Sequence, residues 1–142
     1  MRQFGLKFHH HGVAVREPGD ALRYYRGLGY RTGNDVFDPL QRVNVMMCYH
    51  EELPDVELVW PGEDPSPIDS LLRTHGSMIY HTCYVTADAT SSLEAMRAAG
   101  IELLPVGAVV PAALFEGTPV SFHSVGGLGL IELIHARPGR PP

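Results

Sequence analysis

Two stretches decide the fold when set one above the other: His10–Gly29, HHGVAVREPGDALRYYRGLG, and His81–Gly100, HTCYVTADATSSLEAMRAAG. They align without a gap at a constant offset of 71 positions, with His10 on His81, Leu22 on Leu93, Arg26 on Arg97 and Gly29 on Gly100. Identity is four of 20 positions, but the local grammar coincides. Each opens as a strand, continues with apolar residues at helical spacing, and stops at a glycine. The spacing predicts a strand over 7–15 and a helix over 18–28 with Pro18 in its first turn. In the second copy it predicts a strand over 78–86 and a helix over 88–99.

Working outward, RVNVMMCY (42–49) and DVELVW (55–60) read as strands, the latter ended by Pro61–Gly62, and PIDSLLRT (67–74) reads as a short helix. Further strands are expected near 101–106, 118–124 and 128–134, with Gly126–Gly127 as a hairpin turn. Each half is thus strand, helix and about three strands, an internal repeat. The matching Glu57 and Glu132 lie 75 apart, and the four extra residues fall in PVGAVVPAALFEG. The expected fold is α+β: two βαβββ modules, 7–62 and 78–135, in one domain spanning 1–142. Residues 136–142 are expected as a flexible tail.

The chain has 142 residues, 44% hydrophobic and 19% charged, an ordinary globular composition. Net charge is −5 and the eleven cations are scattered, so no basic stripe is present to meet nucleic-acid phosphates. No apolar run reaches the roughly 20 residues of a membrane span. The opening MRQFGLKFHHHG lacks the apolar core of a signal peptide. Cys48 and Cys83, without CxxC spacing, fit a reducing cytoplasm.

The repeat places His10 and His81 on the first strand of each half, and Glu57 and Glu132 on the last. Alternation puts His10 on one face with Gly12 and Ala14, and turns His9 and His11 away. Glu57 interrupts VELVW and Glu132 interrupts LGLIELI, and a carboxylate in an apolar strand is costly unless something pairs with it. One divalent cation shared by both halves would satisfy two imidazoles and two carboxylates. Ni, Co, Zn, Mn or Fe suits that set. Of the other histidines, His50, His75 and His135 are expected in solvent, and His123 on a strand where it is a candidate to line the cavity. Cys83 is expected as a buried thiol, and Met46, Met47 and Trp60 as core.

HHGVAV with DALRYYRGLGY, VELVWP followed by SPIDSLLRTHG, YHTCYVT with LEAMRAAGIELL, and GLIELI together resemble the vicinal oxygen chelate superfamily of glyoxalases, bleomycin-resistance proteins and dioxygenases. The pattern is closest to methylmalonyl-CoA epimerase and glyoxalase I, and covers about residues 8–135. The resemblance implies that the two modules form a curved mixed sheet around a metal-binding cavity, with His10, Glu57, His81 and Glu132 as metal ligands, the set of bacterial glyoxalase I. The epimerases usually carry Gln where Glu57 stands. It further implies a cytoplasmic homodimer acting on a small carbonyl compound or acyl thioester, as a lyase, isomerase or epimerase that enolises its substrate with Glu132, or else Glu57, as base. No acid in PLQRVNVMM matches the separate catalytic Glu of the epimerases, and a CoA phosphate would have to be met by Arg42 or Arg73. The same resemblance admits a metal-free drug-sequestering protein or a related dioxygenase.

Overall fold

The computed structural model describes residues 3–137. The chain divides into two compact units, His10–Tyr80 and a second made of the residues up to His9 and from His81 onward. Three α-helices and nine strands are described, the α+β composition expected. No helix among the described residues is long and apolar enough to cross a membrane. Residues 138–142 of the expected tail lie outside the described residues.

The first unit takes in β1 (Lys7–Ala14) from His10 onward, α1 (Gly19–Gly27), β2 (Arg31–Thr32), β3 (Val36–Asp38), β4 (Val43–Tyr49), β5 (Val56–Pro61) and α2 (Asp69–His75). β1 runs parallel to β5, β4 antiparallel to β5, and β2 and β3 both antiparallel to β4. Alternation sends Val56, Leu58 and Trp60 to the face covered by α1, where they meet Val13, Val15, Tyr30 and Cys48, with Leu22 and Tyr25 packed on top. Glu57 and Val59 point the other way.

The second unit runs through β6 (Met78–Thr86) from His81 onward, α3 (Ala89–Ala98), β7 (Leu103–Ala112), a 3₁₀ turn (Ala113–Phe115), β8 (Thr118–Val125) and β9 (Gly129–His135). β6 is parallel to β9, and β9, β8 and β7 follow antiparallel, leaving β7 at the unit's edge. Met96 and Leu93 of α3 pack with Val125, Ile131 and Leu133 on one face. Cys83, Val120, Ile134 and Phe115 pack on the other. Asp88 caps α3 by accepting from the Ser91 backbone N–H, 3.1 Å.

Both long helices end in the same way. Gly29 and Gly100 take φ of 97° and 82°. Gly29 N–H bonds Arg26 and Tyr30 N–H bonds Tyr25, while Gly100 N–H bonds Arg97 and Ile101 N–H bonds Met96. These are equivalent Schellman caps, each closed by an apolar contact: Tyr30 against Tyr25, and Ile101 in the cluster of Met96. A Cβ on Gly100 would meet nothing within 4 Å, whereas on Gly29 it would stand 3.3 Å from the His50 ring. Gly100→Ala is therefore expected to cost about 1 kcal/mol from backbone strain alone, and Gly29→Ala more. Urea denaturation of both variants checks this, and equal stability of Gly100→Ala and wild type would contradict it.

Three elements differ from the sequence expectation. The two-residue β2 and three-residue β3 are too short to show alternation. β7, expected over 101–106, runs on to Ala112 because its breakers are tolerated at an edge. Pro105 and Pro111 need no N–H there, and Gly107, φ 75°, accommodates a bulge between Val106 and Val110.

Candidate metal centre

Each unit carries one buried imidazole–carboxylate pair. In the first, β1–β5 register sets Gly12 opposite Glu57, and His10 lies two residues earlier on the same face. His10 Nε2 stands 3.7 Å from Glu57 Oε2. In the second, β6–β9 register sets Cys83 opposite Glu132, with His81 two residues earlier. His81 Nε2 stands 3.5 Å from Glu132 Oε1. Gly12 and Cys83 are 71 apart and Glu57 and Glu132 are 75 apart, so the two registers are the same register repeated. All four side chains are buried, none more than 7% exposed. The structure thus brings His10 to Glu57 in one unit and His81 to Glu132 in the other.

Repetition extends to the next strand. Met47 on β4 pairs with Glu57, and Phe122 on β8 pairs with Glu132, again 75 apart. Cross-strand partners share a face, so each carboxylate has a large apolar neighbour. Phe122 also meets His81 edge to face, ring centroids 5.4 Å apart, which restricts the imidazole's rotation. The sequence reading missed Phe122. The signal was present, since the offset that links the glutamates also links Phe122 to Met47.

Other histidines depart from expectation. Alternation turned His9 away, but its ring packs edge to face on Phe115, within the cluster that holds Cys83. His50, expected in solvent, is a structural lock. Its Nδ1 accepts the backbone N–H of Glu52 and Leu53, and its Nε2 contacts the Leu28 carbonyl at 3.1 Å. Arg42, one of two arginines considered for a CoA phosphate, spends its guanidinium on the Asp64 carbonyl at 3.1 Å and lies 3.8 Å from Glu63.

His123 and His135 lie on the strand face opposite to Phe122 and Glu132, joined through Ser121. Its hydroxyl is 2.9 Å from His123 Nε2 and 2.7 Å from His135 Nε2. A hydroxyl has one proton, so one imidazole accepts from it and the other donates to it. Burial holds both imidazoles below the ordinary histidine pKa, and for His123 the neighbouring His135 and Arg97 act in the same direction. The unfolded chain takes up protons near pH 6.5, while the folded one resists until lower pH. This contribution to stability is therefore complete above that pH and is lost as pH falls below it. His123→Gln, which keeps a hydrogen-bonding group beside Ser121, is expected to lose less stability than wild type between pH 7.5 and pH 5.5. Urea midpoints at the two pH values measure this, and an equal loss in both proteins would contradict it.

The chain belongs to the Glyoxalase/Bleomycin resistance protein/Dioxygenase superfamily, whose model matches residues 9–122. Among solved structures, methylmalonyl-CoA epimerase from Mycobacterium tuberculosis is 21% identical with a TM-score of 0.72, covering 92% of this chain and 86% of that one. A hypothetical protein from Bacillus halodurans is 23% identical with a TM-score of 0.76, covering 96% and 99%. Streptomyces coelicolor methylmalonyl-CoA epimerase, in complex with 2-nitronate-propionyl-CoA, is 18% identical with a TM-score of 0.72, covering 96% and 98%. At these identities the likeness is one of fold. No curated protein matches the sequence.

Proposed function

We propose that this chain is a divalent-metal-dependent enzyme that moves a proton on the carbon beside a substrate carbonyl, an isomerase or epimerase with glyoxalase-type lyase chemistry as the variant. Modules 7–62 and 78–135 act in it as one domain. The observation that carries the reading is the pair of buried His–Glu couples in identical register. Two imidazole nitrogens and two carboxylate oxygens suit Ni, Co, Zn, Mn or Fe. His10, Glu57, His81 and Glu132 would hold one such ion, and the buried setting fits it, because a carboxylate that leaves water needs a cationic partner. When bound, the ion supplies Lewis acidity that stabilises negative charge developing on a substrate oxygen.

The chain's own residues do the rest. Glu132 takes the α-proton into its carboxylate, leaving the C–H electron pair on the substrate as an enolate. It then returns the proton to the opposite face of that carbon or to its neighbour. Glu57 is the second candidate for this step. Phe122 packs edge to face on His81 and limits its rotation, and Met47 and Phe122 set an apolar side chain beside each carboxylate. Low local polarity strengthens every charge interaction there.

The direct test is exchange of the substrate α-proton in D₂O by metal-loaded protein, on methylmalonyl-CoA and on the hemithioacetals of methylglyoxal, with metal content measured on the same preparation. Metal-dependent exchange supports the reading. A metal-free preparation that binds ligand without exchange would move the chain to the sequestering members of its superfamily.

A further inference from the structure

The face of β7 and β8 that carries Phe122 is mostly apolar, with Ser124 and Thr118 as its polar members. Pairing sets Leu104 opposite Ser124, Val106 opposite Phe122 and Val110 opposite Val120. Phe122 in turn pairs with Glu132 and packs on His81, so the row runs outward from the His81–Glu132 couple. Its outer part is open: Leu104 is 69% exposed and Val106 48%. From Leu103 to Val125 the single charged residue is Glu116. Clustered exposed apolar side chains of this kind mark a binding surface.

The row is continuous with the reacting groups and its edge is protected against strand addition. Pro105 and Pro111 offer no N–H, and the bulge between Val106 and Val110 breaks the regular spacing that a second copy would need for pairing. The occupant that fits is a small molecule whose reacting end lies at His81 and Glu132.

We propose that the β7–β8 row is the subsite for an uncharged, apolar arm of the substrate. It selects alkyl or aryl carbonyl compounds over those that carry a carboxylate or phosphate at that place. A charged arm laid on Leu104, Val106 and Phe122 would lose hydration and gain no counter-ion. This rests on the proposed function for the position of the reacting carbon, while the apolar row has its own readout.

The probes are n-alkyl hydroxamates from acetyl to octanoyl, together with an ω-carboxylated counterpart of the longest. Calorimetry measures their binding to metal-loaded and chelator-treated full-length protein. Affinity is expected to rise about fourfold per methylene covered by the row, in both forms of the protein. The ω-carboxylate should forfeit that rise, Val106→Asp should flatten it, and Val106→Ile should keep it. No rise with chain length, or a rise that Val106→Asp leaves intact, overturns the subsite. If Val106→Asp instead converts a sedimenting dimer to monomer and leaves the rise intact, a second copy covers the face and the proposal fails. If the hydroxamates bind equally tightly with and without metal, the rise with chain length still upholds the subsite and the result counts against the metal reading alone.

Discussion

Glu132→Gln is expected to slow α-proton exchange by a hundredfold or more, while the protein keeps its fold and part of its metal. The substitution preserves side-chain shape and an oxygen that can still face His81, but the amide has no basicity at neutral pH. General bases contribute on the order of 10²–10⁴ to rate, which sets the scale. Glu132 is 2% exposed and sits opposite Phe122, so no solvent base substitutes for it easily. Glu57→Gln provides the internal comparison. If both carboxylates serve only as ligands, the two variants will fall together and in proportion to metal loss. If Glu132 is the base, its variant falls further at equal metal content. Exchange at the wild-type rate in Glu132→Gln would remove it from that role.

The second large effect concerns the ion itself. Loaded protein is expected to contain one divalent ion per chain and to unfold at higher denaturant concentration than chelator-treated protein. At a free metal concentration of about a hundred times the dissociation constant, linkage gives roughly 2.7 kcal/mol of added stability. His81→Ala removes one of the two imidazoles and should abolish most of this difference, because a site deprived of one nitrogen binds far more weakly. Elemental analysis and paired denaturation curves measure it. Unchanged metal content and an unchanged shift in His81→Ala would take His81 out of the ligand set.

Much of this is legible in the sequence because the chain states its plan twice. The offset of 71 predicted the matching helices and their glycine stops, and both are realised down to equivalent hydrogen bonds at Gly29 and Gly100. The offset of 75 paired Glu57 with Glu132. What repetition did not reveal is what lies outside the aligned blocks or depends on the surroundings of a strand. β7 runs past the expected 106 through Pro105, Gly107 and Pro111, which only its edge position makes acceptable. His123 was expected on a strand, yet which face it used depended on the register of β8 with β9. His135 looked solvated as a residue after a strand, but Ser121 and burial engage it. His50 shows the same limit, since its three backbone partners come from two separate loops.

The two faces of β8 carry opposite chemistries one residue apart: Phe122 beside Glu132 on one side, Ser121 and His123 under α3 on the other. A slip of one position against β9 would exchange them, delivering imidazoles to the carboxylate and burying a phenyl ring where a hydrogen-bonded chain belongs. What forbids the slip is the turn at Gly126–Gly127, where Gly127 adopts φ 78° and Leu128 N–H returns to the Val125 carbonyl. A single-codon insertion or deletion in this turn would thus rewrite the inventory of groups around Glu132 without altering any of the residues that compose it. In evolutionary terms the hairpin acts as a reading frame for the site, and length variation in it should be tolerated far less than at an ordinary surface loop.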